Sequence, residues 1–483
     1  MSTSIPQDFY FRELDISVKE ELLRDYLLFL EESLVGSRRE LVEYVLRTTY
    51  NGSPTLIMRL KDEKGNPSVE LAVQSARKPR VWVIPLKKSL KPEDAENVIR
   101  RVELATLYYL ESRDVAKACF VLLEKMKLGP ERIKEAKRKL VEKLFFGTMF
   151  PLFALSLLFA YLLFVFLGVY VFVAMPLFQL LILLFSDKIV EMMCDWRVTR
   201  DNRHVYLVCY TMPRTEYNEF MKRYYPRRFE IKRQLYEAMI ANNMNLTPEV
   251  AAEVFMKHGM IVDNLHKVAI KRINVYGIVS RIFSSLGLPT PRIALLNTAI
   301  PNAAATGIGP DVALLTITTG LLMRLDDDEI ECVLAHEASH IKNHDPFMLF
   351  MLSTGEYLLR LFVFFTFIYI MMNPFVDLIY LLVAFTLLFF IAKFFEARAD
   401  LEAAFLTGRP SVLARALKKI ALRRLLIEKY PRPSFESWLS WDAHPPVSWR
   451  IIRLERGSLS MREHPLMASV KDCILGLLST LGL

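Results

Sequence analysis

Cysteine is scarce in this 483-residue chain: five residues, Cys119, Cys194, Cys209, Cys332 and Cys473, with no CxxC pair among them. Their scatter excludes a cysteine-rich structural zinc site and predicts separate thiols in a reducing cytosol. The first 20 residues lack a long apolar run and mix charges of both signs, so no cleavable leader is expected. No internal repeat or low-complexity segment stands out. The net charge is +9, but the basic residues are not interleaved with aromatics, which argues against nucleic acid as a partner. An anionic membrane leaflet accounts for the basic balance.

Charge itself is absent from Leu144 to Phe185. A single helix of that length would run about 63 Å, roughly twice the apolar thickness of a bilayer. Two spans joined by a tight turn near Gly168 are therefore expected. A second apolar block, Pro346 to Ala392, is interrupted at Asn373, Pro374 and Asp377, which predicts another hairpin. Neither turn carries Lys or Arg, whereas the flanks hold Arg132, Lys134, Lys137, Arg138, Lys139, Lys143, Lys188, Arg197 and Arg200. That asymmetry places both termini and both large water-soluble regions in the cytoplasm. The expected setting is a multi-pass protein of the plasma membrane, mainly α, with four transmembrane helices in two hairpins.

The organisation follows from these blocks. Residues 1–143 read as a soluble α+β domain, with a helix over Glu20–Arg47, strands at Thr55–Leu60, Val69–Val73 and Arg80–Leu86, and helices from Pro92 to about Lys143. It has no catalytic constellation, and a binding or regulatory module with a partner of its own is expected. Residues 144–186 form the first hairpin. Residues 187–345 are expected to be mostly helical, with short strands at Arg292–Leu296 and Ala313–Thr318 joined by PNAAATGIGPD. Residues 346–394 form the second hairpin, and 395–483 the C-terminal cytosolic part.

Histidine is also scarce, with eight in the chain, yet three fall in VLAHEASHIKNHD at positions 336, 340 and 344. The run EIECVLAHEASHIKNH has no Gly or Pro, follows the acidic start Asp326–Asp328, and is predicted to be one helix through His344. His336 and His340, four apart, share a face and could chelate one ion, and Glu337 could reach a water at that ion. His344 lies about 12 Å along the axis from His336, too far to share a metal, and is assigned to the helix end. Beyond the second hairpin stands FFEARADLE. An antiparallel hairpin returns its ends to one membrane face, so Glu396 is the candidate third ligand of a two-His, one-Glu zinc site. Asp400, one turn on, could fix a ligand histidine's tautomer. Glu356 and Arg360, four apart in the third span, could form an ion pair.

HEASH with IKNHD, EARAD after two spans, PNAAATG (301–307), TITTGLL (316–322) and HPP (444–446) with Arg450 occur in this order over roughly Tyr276–Leu454. The set resembles the HtpX family of membrane zinc metalloproteases, which is related to the CAAX prenyl proteases. The family usually has Arg at the position of His344 and Phe at that of Ala304. Residues 1–143 have no usable counterpart in it.

The resemblance implies a zincin-type α+β protease domain, with one Zn2+ held by His336, His340 and Glu396 and Glu337 as general base. It also implies His444, Arg450 and Asn302 as active-site residues, the first two as candidate oxyanion donors. The strand Ala313–Thr318 could pair with an extended substrate if it lies at a sheet edge. The function expected is a zinc metalloendopeptidase acting on membrane or misfolded proteins at the cytoplasmic face, in quality control and stress response. Two other readings are a CAAX-type protease for prenylated proteins and a non-catalytic membrane adaptor.

Overall fold

The structure, a computed structural model, describes residues 9–126, 158–159 and 161–481, interrupted at 19, 63–64, 88–90, 114–115, 368–372, 429, 432 and 457–463. By internal contacts the chain divides into two units. One comprises Met1–Asp114, Ala421–Ser434 and Pro446–Trp449; the other comprises Val115–Ile420, Phe435–Pro445 and Arg450–Leu483. The boundary expected at residue 143 therefore moves to Asp114.

In the first unit, strands Tyr10–Glu13, Arg80–Pro85, Pro67–Gln74, Ser53–Lys61 and Val42–Tyr50 form one antiparallel sheet in that spatial order. Its inward residues alternate along each strand, as in Leu56 and Met58 or Val81 and Val83. They pack on Tyr26, Leu30, Ile99, Val102 and Tyr109 of helices Leu23–Val35 and Pro92–Arg113. The single helix predicted over Glu20–Arg47 is thus a helix ending at Val35 followed by a strand from Val42. VEYVLRTTY has the β-branched and aromatic content of a strand, and pairing with Ser53–Lys61 decides its conformation.

Among the described residues, the second unit holds two small sheets and the apolar helices. Ala116–Leu123, read in sequence as helix, is an edge strand on His204–Met212, which pairs on its other side with Val268–Asn274. Cys119 and Cys209 face each other in this register and are joined by a disulfide, against the expectation of separate thiols. Their separation of 90 residues hid the pairing until the strands were aligned. The other sheet runs Ala303–Thr306, Leu314–Thr318, Arg292–Leu296, Trp196–Val198. Leu314–Thr318 is flanked on both sides and wholly buried, so it is not the edge. The edge is Ala303–Thr306, inside the segment read as a connecting turn. With four strands beyond the two expected within 187–345, this region is α+β rather than mostly helical.

Among the described residues, three helical segments have the length and apolar composition of a membrane span: 161–184, Asp345–Thr366 and Pro374–Thr407. Phe166, Leu181, Phe362, Phe375 and Leu387 on them point outward, as lipid contact requires. The first is not one straight rod. Gly168 has φ +53°, and the rings of Phe159 and Phe178 lie 4.6 Å apart, where a continuous helix would separate them by about 28 Å. The chain reverses near Gly168. The remainder of the first expected arm, residues 144–157, lies outside the described residues. Glu356 and Arg360 approach to 3.6 Å, as their spacing predicts.

Candidate active site

The site begins at helix Asp327–Lys342. Glu329 accepts a hydrogen bond from the Asp326 backbone N–H (2.9 Å), closing the first turn. Burial of Ile330, Leu334, Ala338 and Ile341 fixes the helix's rotation and turns both motif histidines toward helix Pro374–Thr407. The helix stops at Lys342 rather than running on through His344. His344 takes a left-handed conformation (φ +56°), and a new helix starts at Asp345 with Pro346 in its first turn. His344 packs against Gly309 and stays out of the metal-facing group, as expected, though by a kink and not by helical distance.

His336, His340 and Glu396 come together. The two Nε2 atoms are 3.2 Å apart; Glu396 places Oε2 3.4 Å from His336 Nε2 and Oε1 3.5 Å from His340 Nε2. Zinc bonds of about 2.0–2.1 Å at tetrahedral angles separate ligand atoms by roughly 3.3 Å, so the spacing fits. Glu396 Oε2 is buried without a hydrogen-bond partner, an arrangement that a cation would satisfy. Burial alone would lower the pKa of His336, but Asp400 and Glu396 outweigh it and raise it to about 10. The pocket is built to hold positive charge between rings and carboxylates.

Each ring is backed by a carboxylate and each carboxylate by an arginine. His336 Nδ1 lies 3.0 Å from Asp400, an ion-pair approach rather than an aligned hydrogen bond; Asp400 is gripped by Arg450 through Nε and Nη2, both at 2.7 Å. His340 Nδ1 lies 2.7 Å from Asp345 Oδ2, and Arg398 contacts both oxygens of Asp345. Asp345 and Arg398 were missed in the sequence, where Asp345 reads only as the residue between a histidine and a helix-starting proline.

Arg450 is buried and spends two nitrogens on Asp400, with the third 3.7 Å from Glu396. It braces Asp400, with its remaining nitrogen beside the metal-facing carboxylate. His444 is half exposed, with Nε2 3.6 Å from Glu396 Oε1 and Nδ1 2.9 Å from Asp442. The fully buried Lys393 donates to the carbonyls of Ser440 (2.9 Å) and Asp442 (2.6 Å), tying the His444 loop to the long helix. Asn302 enters the edge strand. Its backbone N–H donates to Thr318 Oγ1 (2.8 Å) and its carbonyl accepts from the Thr318 N–H (3.0 Å), while its exposed side chain is not joined to the histidines.

Burial pushes the Glu337 carboxyl above its usual pKa; His340, His336 and a hydrogen bond from the Ala305 N–H pull the other way. A carboxyl poised above the ordinary range beside two imidazoles and a second carboxylate suits proton transfer. The edge strand thus runs directly past the candidate base.

Two imidazoles and a carboxylate facing one point, with a further glutamate alongside, define the site of a metal-dependent hydrolase. Residues 270–457 match peptidase family M48. The chain is 36% identical over 210 residues to the protease HtpX homolog 2 of Methanosarcina mazei, covering 38% of this chain and 71% of that one. It is 36% identical over 223 residues to the protease HtpX homolog 1 of Streptomyces coelicolor (40% and 73%), and 32% over 213 residues to the protease HtpX homolog of Pyrococcus abyssi (38% and 73%). This chain belongs to the HtpX-like metalloproteases of peptidase family M48.

Proposed function

We propose that this protein is a membrane-integrated zinc endopeptidase that cuts membrane or misfolded proteins at the cytoplasmic face, in membrane-protein quality control. The observation that carries the reading is the His336–His340–Glu396 group at the point where the motif helix turns into a membrane-length helix. A site so placed meets chain segments leaving the bilayer. The reversal at Gly168 supports four spans in two hairpins.

His336, His340 and Glu396 would hold the metal, and Zn2+ when bound supplies Lewis acidity toward water and the scissile carbonyl. Glu337 takes the proton from the attacking water at its carboxylate and delivers it to the leaving amine. Asp400 and Asp345 hold the rings of His336 and His340 in orientation. His444, whose Nδ1 is engaged by Asp442, presents Nε2 toward the cleft, where as imidazolium it donates to the developing oxyanion. The Ala303–Thr306 edge offers main-chain groups to an extended substrate with little sequence preference. The unit built on residues 1–114 serves as a regulatory or binding module.

Incubation of the purified chain with casein and with a membrane protein tests this. Internal cuts, lost on chelation and restored by zinc, are expected; trimming from the ends alone would rule out an endopeptidase.

One observation favours the opposite sidedness. The Cys119–Cys209 disulfide suits an oxidising compartment, although intracellular proteins of hyperthermophiles also carry disulfides. A membrane-impermeant reagent against cysteines introduced near His444 decides it. Labelling only after permeabilisation supports the cytoplasmic site, and labelling of intact cells reverses it.

A further inference from the structure

Away from the metal-facing group, the second unit contains a cavity of ≈ 400 Å³ that no step of the proposed reaction uses. That volume is within the range of small-ligand sites, roughly 300–1,000 Å³. Its walls are the edge strand Ala116–Leu123, the consecutive helical segments Tyr217–Tyr224 and Arg228–Ala241, and the loop Asn297–Ala299.

The helical wall is ordered along its length. Tyr217, Phe220 and Tyr224 are followed at the next turns by Arg228 and Lys232, all lining the cavity. The aromatic part is prebuilt: Phe220 stacks on Tyr210 (5.5 Å) and meets Tyr224 (4.8 Å). The cationic part is fixed as well. Arg228 lies over the rings of Tyr225 and Phe229, with Nη1 donating to the Tyr225 carbonyl (2.8 Å), and the buried Lys232 sits 4.3 Å above the Trp196 ring. Lys117 adds a third cation from the strand. The one carboxylate in the lining, Asp195, already accepts from the Asn297 N–H (2.8 Å). Lys117, Arg228 and Lys232 thus line the cavity at the end of an aromatic wall, with Asp195 among them.

We propose that this cavity is a binding site for an organic anion with a flat apolar body, its acid group toward Lys117, Arg228 and Lys232 and its ring against Phe220 and Tyr224. A carboxylate here gains charge-assisted hydrogen bonds, and the rings take up the apolar surface. The same chemistry is offered by a free aromatic acid and by the carboxylate end of a peptide with an aromatic last residue.

Equilibrium dialysis of the full-length, zinc-loaded protein in detergent tests the site, with 1-naphthoate as probe and protein-free detergent as the blank. One saturable site per chain is expected, at least about tenfold tighter for 1-naphthoate than for naphthalene-1-carboxamide or acetate. Lys232→Met should weaken it about tenfold, as should Lys117→Gln, whose exposed position makes the variant independent of folding. A peptide hydroxamate occupying the metal site should not displace the probe. Competition by a hexapeptide ending in Phe as the acid, and not as the amide, assigns the peptide source; its absence assigns a small acid. Equal affinity for acid and carboxamide, displacement by the hydroxamate, or affinity unmoved in Lys117→Gln and Arg228→Gln overturns the proposal.

Discussion

The two metal-facing histidines are braced by similar groups supplied in different ways. Asp400, behind His336, stands one turn after Glu396 on the same long helix, so a single rigid element carries a candidate ligand and its neighbour's brace. Asp345, behind His340, is the first residue of a membrane-length helix, directly after the left-handed His344. Its partner Arg398 reaches it from the long helix. The orientation of His336 is thus set by the last turns of the long helix, braced by Arg450, whereas that of His340 also depends on how the first turn of the other membrane-length helix meets the motif helix. Packing changes in the membrane should reach the site through His340.

The comparison fails most completely when a shared ligand goes. Glu396→Gln should lose its metal on dialysis and fall in activity by more than the roughly 10–100-fold that loss of an outer partner costs, as read by metal-to-protein ratio and cleavage rate. Retention of a full metal complement would remove Glu396 from the ligand set. Next is Arg398→Met, which takes the guanidinium from the buried Asp345 and leaves its carboxylate to the His340 ring. A loss of about 3–5 kcal/mol in unfolding free energy is expected in detergent, with Arg398→Lys recovering part of it.

Asp400→Asn and Asp345→Asn sharpen the comparison. Each should weaken metal affinity by about 10–100-fold, measured against a competing chelator. Only the Asp345 variant's loss should change when detergent is exchanged for bilayer nanodiscs. Equal response of both variants to that exchange would remove the distinction. The smallest effect is expected at His344. Asn tolerates the left-handed turn and should stay within about 0.5 kcal/mol of wild type in thermal unfolding, whereas Val should cost roughly 1–2 kcal/mol.

Much of the site was legible because strong local rules governed it. Helical spacing set His336 beside His340, and the return of an antiparallel hairpin brought Glu396 and Asp400 to the same membrane face. Asp345 was hidden because its role depends on a helix break that no glycine marks. The break follows from the positive φ at His344, a tertiary choice. Arg450 was placed at the site by family likeness, but its brace of Asp400 needed the three-dimensional pairing. The strands at Val42–Tyr50, Ala116–Leu123 and Ala303–Thr306 were missed for a common reason. Each depends on a partner strand for its conformation, and AAAT between Pro, Asn and Gly has the composition of a turn. The disulfide escaped with them, since only the register opposes Cys119 to Cys209.

In the proposed reaction Glu337 moves the proton at a metal site it does not itself hold. The most direct test measures zinc content and casein cleavage for wild type and Glu337→Gln, purified in parallel. Equal zinc with activity lowered at least about a hundredfold is predicted. Robust cleavage by Glu337→Gln at the same zinc content would contradict it.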